Sequence, residues 1–369
     1  MAVRVAMMRS KSVGGMEPRL EREARALAKA GYEVHVILWD RELAYAAEED
    51  RGGIAIHRVH LPAPYNRPAL AWKLPGWWRR AFRILRSLRP AVVHAADYDT
   101  IPPALRARDG WDAKLVFDIW DFYADMLTGR VPRFLRRSLA RREADAIRVA
   151  DLVILPDLAR QSRLRAKPRR VIEVMNVPED RPLTPKPHDR FVLFYGGNLS
   201  KDRGLLDLVR VCEATGAVLL VAGQGPDEAE LLPLIETSPQ ASFLGVLSHE
   251  EVLHQTADAD AIPALYDPAV PNNRLAAPNK VYEALMLGKP VIASEGTGIA
   301  EFVRSERVGL VVPYGDTARL QEALEKLILS PQLCSEMGAR GRRVYEARFR
   351  WEAMEARLLD AYRELVAGP

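Results

Sequence analysis

Short apolar runs alternate with longer amphipathic segments along the whole chain. In the first half, apolar runs of strand length cover residues 3–8, 32–39, 91–95, 114–119 and 151–155. Residues 17–30 lie between the first two runs, carry apolar positions at helical spacing and end before Gly31, a residue type that often terminates helices. Strands and helices that alternate in this way predict βαβ units and a parallel sheet.

The same alternation begins again after a proline-rich stretch. Four prolines lie close together where few residues could hold a regular element: Pro178, Pro182, Pro185 and Pro187. Beyond them, apolar runs predict strands at residues 190–195, 218–222, 241–244, 261–264, 290–293 and 309–312. Residues 351–366 carry apolar positions at helical spacing, so they predict a last helix with a face to bury. We therefore predict an α/β domain over residues 1–180, a second over 181–350, and a closing helix over 351–369.

The composition is that of a two-domain globular protein. A chain of 369 residues exceeds the usual size of one core, and 48% hydrophobic with 28% charged residues is typical of soluble proteins. Cys212 and Cys334 are too few for a disulfide framework and lack metal-ligand spacing. No apolar run reaches the roughly 20 residues that span a bilayer, and the first residues lack the features of a signal peptide. We expect a cytoplasmic protein.

The net charge of +4 conceals an asymmetry between the two halves. Residues 1–180 contain 33 Lys+Arg against 23 Asp+Glu, so the first half is basic and the second half is acidic. A basic half predicts an anionic partner, and the sign alone leaves open a phosphate-bearing acceptor, a lipid surface or nucleic acid. Nucleic acid is the least favoured of these, because no motif that reads it occurs.

A glycine-rich turn follows the first strand of the second predicted domain. Residues 196–204 read GGNLSKDRG, which is typical of a strand end, a tight turn and a helix start. Such a turn lets backbone N–H groups approach a phosphate, and Lys201 and Arg203 beside it could neutralise a diphosphate. The alternative is an ordinary βα turn with solvated charges.

A second candidate element covers residues 278–293, PNKVYEALMLGKPVIA. This pattern predicts a short helix that Gly288 ends and a strand that follows it. Glu283 lies toward the start of the helix, where a carboxylate could accept hydrogen bonds from two hydroxyls, as the binding of a ribose requires. A carboxylate that interacts with the helix dipole is the alternative.

Four segments occur in the order of a known family. They are residues 196–204, 221–226, 243–252 and 278–293, and residues 31–36 and 349–352 extend the likeness to both ends of the chain. Together they resemble glycosyltransferase family 4. The resemblance implies the GT-B architecture, an α/β fold with two Rossmann-like domains that face a central cleft and a C-terminal helix that crosses back to the N-terminal domain.

The resemblance also implies a reaction and a set of residues. The reaction is retaining transfer of a hexose-type sugar from a nucleoside-diphosphate sugar to a glycan or lipid-linked acceptor in cell-envelope or polysaccharide synthesis, with no metal ion and no other cofactor. Arg203 and Lys201 would neutralise the diphosphate as it departs, and Glu283 would bind the ribose. The implied donor-binding residues are Gly14, Gly15, Gly196, Gly197, Asn198, Arg203, Gly223, Gly225, Leu247, Asn279, Lys280 and Glu283.

Two positions depart from the commoner family pattern. Leu275 stands where that pattern has a second glutamate, and Asn198 stands where it has an arginine. A branch of the family carries a Pro-Asn-Lys-x-x-Glu form instead, which residues 278–283 match. We therefore expect the hexose contacts to come from elsewhere, and the nearest polar residues are Asn272, Asn273 and Arg274.

Residues 117–123, FDIWDFY, predict the acceptor side of the site. They end a strand of the first domain, and the carboxyl ends of parallel strands face the ligand in such folds. Related enzymes often have a histidine where this chain has Trp120, so Asp118 or Asp121 would bind acceptor hydroxyls or assist their deprotonation. Capping of the next helix is an equal alternative. Trp120, Tyr123 and His94 are further acceptor candidates, although a lone histidine after an apolar run is more often structural.

A basic and aromatic stretch without acidic residues lies between Asp50 and Asp97. Its cations are Arg51, Arg58, Arg67, Lys73, Arg79, Arg80, Arg83, Arg86 and Arg89. Residues 72–89 combine them with aromatic side chains, which favours peripheral contact with an anionic membrane on its inner, cytoplasmic face. The patch would extend to Arg133, Arg136, Arg137, Arg141 and Arg142. In the alternative interpretation, Trp78, Phe82 and Leu85 pack inward and the arginines are simply solvated.

Two other classes of function stay open at this point. A nucleotide-sugar 2-epimerase has the same fold but needs no acceptor, so donor alone would give an epimer. A non-catalytic basic binding protein could also retain the fold, and the leucine at position 275 keeps that alternative open.

Overall fold

The computed structural model describes residues 2–10, 15–64, 70–127, 131–276 and 278–367, and it divides the chain into two compact units. The first unit contains Met1–Met175 and Met354–Pro369, and the second contains Asn176–Ala353. The boundary precedes the proline-rich stretch because hydrogen bonds hold that stretch to the second unit. The Tyr345 hydroxyl donates to the Pro178 carbonyl at 2.9 Å, and Arg342 forms a double ion pair with Asp180.

A mostly parallel sheet forms the centre of the first unit. Within the described residues its eight strands are β1 Arg4–Arg9, β2 Glu33–Asp40, β3 Glu48–Asp50, β4 Ile54–His60, β5 Val92–Ala96, β6 Lys114–Asp118, β7 Leu152–Leu155 and β8 Val171–Glu173. They lie in the order β3-β4-β2-β1-β5-β6-β7-β8, and only the β3–β4 pair is antiparallel. The five strands predicted from apolar runs are confirmed, whereas the pattern did not identify β3, β4 and β8.

Helices connect these strands on both faces of the sheet. They are α1 Pro18–Lys29, α2 Leu70–Leu88, α3 Ile101–Trp111, α4 Tyr123–Met126 and α5 Arg133–Val149. The connection through α1 runs from β1 to β2, toward one edge of the sheet, whereas those through α2, α3 and α5 run toward the other edge. With right-handed crossovers, α1 therefore lies on one face of the sheet and α2, α3 and α5 lie on the other. Fully buried aliphatic and aromatic side chains of the strands fill both interfaces.

The second unit repeats this plan. Its described strands are β9 Val192–Asn198, β10 Val218–Gln224, β11 Ala241–Phe243, β12 Ile262–Ala264, β13 Val291–Ser294 and β14 Gly309–Val312. Its helices are α6 Leu205–Thr215, α7 Glu228–Glu236, α8 His249–Asp258, α9 Asn279–Met286, α10 Gly298–Glu306, α11 Thr317–Ile328 and α12 Pro331–Arg348. All six strands predicted there are confirmed.

The strand order of the second unit reverses between β9 and β12. In the described residues, β11-β10-β9 and β12-β13-β14 form two parallel three-stranded sheets, and a parallel bridge between Leu193 and Ala261 joins them. Successive strands therefore move away from this point in both directions. Open α/β sheets bind ligands at the carboxyl ends of the strands beside such a reversal.

The last helix, α13 Trp351–Ala367, belongs to the first unit from Met354 onward. Met354, Leu358, Ala361 and Tyr362 are fully buried at helical spacing. The Tyr362 hydroxyl lies 2.7 Å from Nδ1 of His94 on β5. The apolar face predicted for residues 351–366 thus packs against the sheet of the first unit.

The basic stretch of residues 72–89 lies mainly on α2. Its inward face consists of Trp77, Ala81 and Leu85, which are fully buried. The sequence placed Trp78 and Phe82 on the inward face. In the structure the residue before each of them is buried instead, and Trp78 and Phe82 are half-buried beside that face. The Trp78 indole N–H donates to the Asp99 carbonyl at 2.7 Å. None of the helices in the described ranges is long and apolar enough to cross a membrane.

Candidate functional site

Glycines allow two strands of the second unit to approach closely at their carboxyl ends. A Cβ atom at Gly223 would lie 1.9 Å from the carbonyl oxygen of Gly197, and one at Gly225 would lie 2.1 Å from that of Leu199. No side chain fits at these distances, so Gly223 and Gly225 are required by the backbone alone. Gly196 is similarly crowded, because its Cβ would lie 3.1 Å from the Phe194 ring.

Gly197 and Asn198 form the exposed end of β9. Gly197 has φ of +151°, a conformation that L side chains rarely adopt, and a Cβ on it would lie 3.4 Å from the amine of Lys280. The absence of a side chain therefore leaves the space above that amine open. The Asn198 carbonyl accepts a hydrogen bond from the Tyr195 hydroxyl at 2.7 Å, which holds the turn in place.

Lys280 lies in the first turn of α9 and is only 8% exposed. Its Nζ atom lies 3.5 Å from the centroid of the Tyr195 ring and has no hydrogen-bond partner among the described residues. Burial and the charge of Arg203 lower the pKa of this amine to about 7, although Glu283 opposes them. An ammonium group in this position is poorly solvated and has no hydrogen-bond acceptor among the described residues.

Arg203 lies at the same sheet edge with its charge already partnered. Its guanidinium donates to Asp202 and to the Asn273 side-chain oxygen, both at 2.8 Å, and stacks 4.3 Å from the centroid of the Tyr266 ring. Tyr266 lies two residues after the end of β12, so Arg203 lies beside the strand-order reversal. Of the three polar residues expected to replace the missing glutamate, Asn273 lies in this cluster, bonded to Arg203 and Asp202.

Lys201 occupies a different environment from Arg203. Its side chain is 56% exposed, and its ammonium pairs with Glu230 at 2.7 Å. The 3-10 turn Lys201–Arg203 directs these two side chains to different places. From the sequence we expected both side chains to bind the diphosphate. In the structure Arg203 lies in the buried cluster, whereas Lys201 lies at the surface.

Glu283 is 4% exposed and belongs to the same helix as Lys280. One of its oxygens lies 3.7 Å from Nδ1 of His249, the first residue of α8. Ser248 and Glu251 form a capping box that fixes the start of α8 and thereby the position of His249. Sequence reasoning missed His249, because a histidine next to a helix cap carries no pattern of its own. Leu247 is half-buried in the preceding loop, and Asn279 is the first residue of α9.

The predicted glycine loop of the first unit is described only in part. Gly14 lies outside the described residues. Gly15 has φ of +104°, so a substitution there would be strained whatever the space around it.

A buried ionic cluster lies beneath the carboxyl edge of the first unit's sheet. Arg19 donates to Glu23 at 2.9 Å and to Asp118 at 2.6 Å, and Nε2 of His94 lies 3.6 Å and 3.5 Å from these two carboxylates. Burial and the nearby Asp118 raise the pKa of Glu23, whereas Arg19, against the effect of burial, lowers the pKa of Asp118.

All members of this cluster are enclosed by protein. His94 and Asp118 expose no surface, and the Trp120 indole N–H donates to Asp118 above them. An acceptor cannot reach either side chain in this arrangement, so we assign them a structural part instead of the direct acceptor contact expected from the sequence. The ligand atoms of Glu23, His94 and Asp118 lie within 4.8 Å of one another, a spacing that suits a metal, but Arg19 already supplies a positive charge to both carboxylates.

Trp120 and Asp121 lie nearer the surface of the same edge. The Arg9 guanidinium stacks 4.0 Å from the Trp120 ring and pairs with Glu17 and Asp97. Asp97 accepts hydrogen bonds from the backbone N–H groups of both Trp120 and Asp121. Its own φ is +67°, which is costly for a residue other than glycine and typical of functional edges. Sequence reasoning missed Asp97, whose only signal was its place directly after β5.

Tyr123 begins the short helix α4 and rests on Glu143. Its backbone N–H donates to Glu143 at 2.9 Å, and its ring lies 5.6 Å from that of Tyr98. Burial raises the pKa of Glu143 to about 7, and hydrogen bonds from Tyr123 and Arg165 limit the rise. Asp121 pairs with Arg160 at 3.7 Å, and its side chain is 37% exposed. Of the two predicted acidic residues, Asp121 is the accessible one.

Family models match both α/β units of the chain. The family model for the glycosyl transferase 4-like domain matches residues 14–178, and that for glycosyl transferases group 1 matches residues 176–344. The chain belongs to the family-4-like glycosyltransferases, and the expectation drawn from its motifs is confirmed. A non-catalytic binding protein is thereby excluded as its class.

Curated relatives of this chain are glycosyltransferases of several kinds. The lipopolysaccharide core biosynthesis glycosyltransferase LpsD of Rhizobium meliloti is 27% identical, over 58% of this chain and 63% of that protein, so this chain spans less than two thirds of its length. The glycogen synthase of Mycobacterium tuberculosis is 24% identical over 95% and 91% of the two chains. A GDP-mannose-dependent monoacylated alpha-(1-6)-phosphatidylinositol monomannoside mannosyltransferase of Corynebacterium glutamicum is 36% identical over 39% and 38%.

Solved structures share the fold over nearly the whole chain. A sucrose-phosphate synthase from Thermosynechococcus elongatus has a TM-score of 0.83 at 18% identity, over 99% of both chains. HepE from Anabaena in complex with UDP-glucose has a TM-score of 0.74 at 15% identity, over 98% of this chain and 99% of its own. These comparisons establish the two-domain GT-B fold.

Proposed function

We propose that this enzyme transfers a hexose-type sugar from a nucleoside-diphosphate sugar to a glycan or lipid-linked acceptor, with retention of configuration and without a metal ion. The observation that carries the proposal is a group of charges at the strand-order reversal of the second unit. Arg203, Lys280 and Glu283 lie there beside the open turn at Gly197. Two cations and one buried carboxylate match the two polar parts of a nucleotide sugar, its diphosphate and its ribose.

The donor would lie with its diphosphate over Gly197. Backbone N–H groups at the end of β9 and the cationic groups of Lys280 and Arg203 would hold the phosphate oxygens, in place of a divalent ion. Glu283 would accept hydrogen bonds from the ribose hydroxyls. The complex of HepE with UDP-glucose supports a donor of this chemical class.

The transfer would break the bond between C1 of the sugar and the diphosphate oxygen and form a bond from C1 to the acceptor oxygen on the same face. The acceptor's proton would pass to the departing diphosphate, whose negative charge the two cations stabilise. Asp121 is the acidic residue that we propose for contact with acceptor hydroxyls, because its side chain is accessible whereas Asp118 is enclosed. The relatives that build lipopolysaccharide cores and mannosylated lipids support a glycan or lipid-linked acceptor.

A thermal-shift panel of UDP-, GDP-, ADP- and TDP-sugars tests the donor class. A ligand present at 100 times its Kd stabilises the native state by about 2.7 kcal/mol, which is about 5–10 °C for a domain of this size. One base should give such a shift, and Glu283→Gln should reduce it, because the amide loses half of the acceptor capacity. Glu336→Gln, an exposed residue of α12, is the matched control and should leave the shift unchanged.

The same preparation tests the reaction itself. Donor and acceptor should give a product with the donor's anomeric configuration, and EDTA should leave the rate unchanged. An epimer formed from donor alone would favour the 2-epimerase instead. Absence of a shift with every nucleotide sugar would refute the assignment of the site.

We further propose peripheral contact with anionic membranes through the outer face of α2. Trp72 is 87% exposed there, and Lys73, Arg79, Arg83 and Arg86 are exposed with it. An indole among cations favours the interface of an acidic bilayer. Cosedimentation with phosphatidylserine vesicles should be lost on Trp72→Ala combined with Arg83→Glu. Equal sedimentation of the variant and the unmodified chain would contradict this surface.

A further inference from the structure

Charged and titratable groups on several neighbouring elements surround the buried amine of Lys280. Tyr195 on β9 covers it with an aromatic face, and Arg203, after β9, adds a positive charge. Glu283, one turn along α9, adds a negative charge that His249 on α8 faces at 3.7 Å. Asp202 lies beyond Arg203 and bonds to it. Glu283 is thus shared with the His249 imidazole, and the positive charge of Arg203 repels the ammonium form of Lys280.

This arrangement favours the neutral amine while the site is empty. Three N–H donors of an ammonium group would have a ring face and no hydrogen-bond acceptor among the described residues. Removing an ammonium from water without such partners is unfavourable, so the group releases its proton instead. The lowered pKa of about 7 agrees with this conclusion.

A diphosphate over Gly197 would reverse the preference. The position of a Cβ on Gly197 lies 3.4 Å from Nζ of Lys280, so a phosphate oxygen in that space would be within reach of the amine. An anion at this distance favours the charged form of the amine, and the charge-assisted hydrogen bond in turn stabilises the anion. Arg203 differs from Lys280, because its guanidinium is already hydrogen-bonded to Asp202 and Asn273 before an anion enters.

We propose that capture of the donor's diphosphate is coupled to the uptake of one proton from solvent by Lys280, so that the site gains a cation only when an anion enters it. The proton adds to the lone pair of Nζ, and it returns to solvent when the nucleoside diphosphate leaves after transfer. This inference rests on the proposed function. In it, Lys280 supplies a positive charge to the leaving diphosphate only while the diphosphate is bound.

The coupling predicts a pH dependence of binding with a definite sign. The charged form binds the anion, so affinity is lost as pH rises through the pKa of the free enzyme's amine. With that pKa at about 7, about 0.9 proton should be taken up per diphosphate at pH 8, and affinity should fall tenfold or more between pH 7 and pH 8.5.

Calorimetry of UDP and of GDP at pH 8, in two buffers with different ionisation enthalpies, measures the uptake directly. At this pH the terminal phosphate of the nucleotide, with a pKa near 6, contributes little. Uptake of close to one proton by the unmodified enzyme is the expected result. Tight binding with no net uptake would overturn the inference and leave the proposed function standing, whereas no binding of either nucleotide would count against the proposed function.

Variants identify the group that takes up the proton. Lys280→Met should bind the diphosphate at least tenfold more weakly at pH 7, without proton uptake and without the pH dependence. Lys280→Arg keeps the charge at all pH values, so its affinity should not change between pH 7 and pH 8.5. Lys326→Met, an exposed residue of α11, is the matched control and should retain both effects. Proton uptake that persists in Lys280→Met would overturn the inference.

Discussion

The hydrogen bond between Tyr362 and His94 should carry a measurable part of the stability of the first unit. Tyr362 lies on α13 and His94 on β5, 268 residues apart, and both side chains expose no surface. Tyr362→Phe removes the hydroxyl and keeps the ring, which packs against Tyr32 with centroids 5.9 Å apart. The substitution therefore isolates the loss of one buried hydrogen bond.

The expected cost follows from leaving Nδ1 of His94 without its partner. An unsatisfied buried polar group costs about 1–3 kcal/mol, and each kcal/mol lowers the Tm of a domain of 150–250 residues by about 2–4 °C. We expect a decrease of about 2–12 °C in the Tm of the first unit, measured by circular dichroism. Tyr314→Phe is the matched control, because the Tyr314 hydroxyl donates to the Lys201 carbonyl at an exposed position. Equal stability of the two variants would show that α13 does not depend on this contact.

Two further outcomes follow from the geometry. Gly223→Ala should destabilise the second unit by several kcal/mol and abolish nucleotide binding, because its Cβ would lie 1.9 Å from the Gly197 carbonyl oxygen. The control is Gly216→Ala, which has open space around it. It should cost about 1 kcal/mol and leave nucleotide binding intact in the thermal-shift assay. Burial raises the pKa of Glu143 in the folded protein to about 7. Its contribution to stability is therefore present below the pKa of the unfolded chain and is lost as pH rises toward 7. Denaturant unfolding of Glu143→Gln should show no such loss.

The elements of the site were readable from the sequence because they depend on local spacing. The glycine turn at residues 196–204 and the helix start before Glu283 need only near neighbours along the chain, and both form as expected. The reversal of strand order that brings them together depends on which strands pair. An apolar run carries no record of its partners, so the bridge between Leu193 and Ala261 could not be predicted.

The predicted acceptor residues also depend on contacts that the sequence does not show. Asp118 and Asp121 are three residues apart and looked equivalent in the sequence. The structure encloses the first with Arg19 and leaves the second accessible. Asp97 and His249 were missed because each is defined by contacts with residues more than 20 positions away.

The sequence by itself determined the number of α/β domains, most of their strands, the enzyme family and the residue types that a nucleotide sugar requires. Only the tertiary structure decided the state of each charge. Lys201 is solvated and paired at the surface, Arg203 is paired with Asp202, and Lys280 is buried without a hydrogen-bond partner among the described residues. The free energy of a charged side chain depends on its burial and on its hydrogen-bond and ionic partners. Both result from packing between residues far apart in the chain, which the sequence alone does not show.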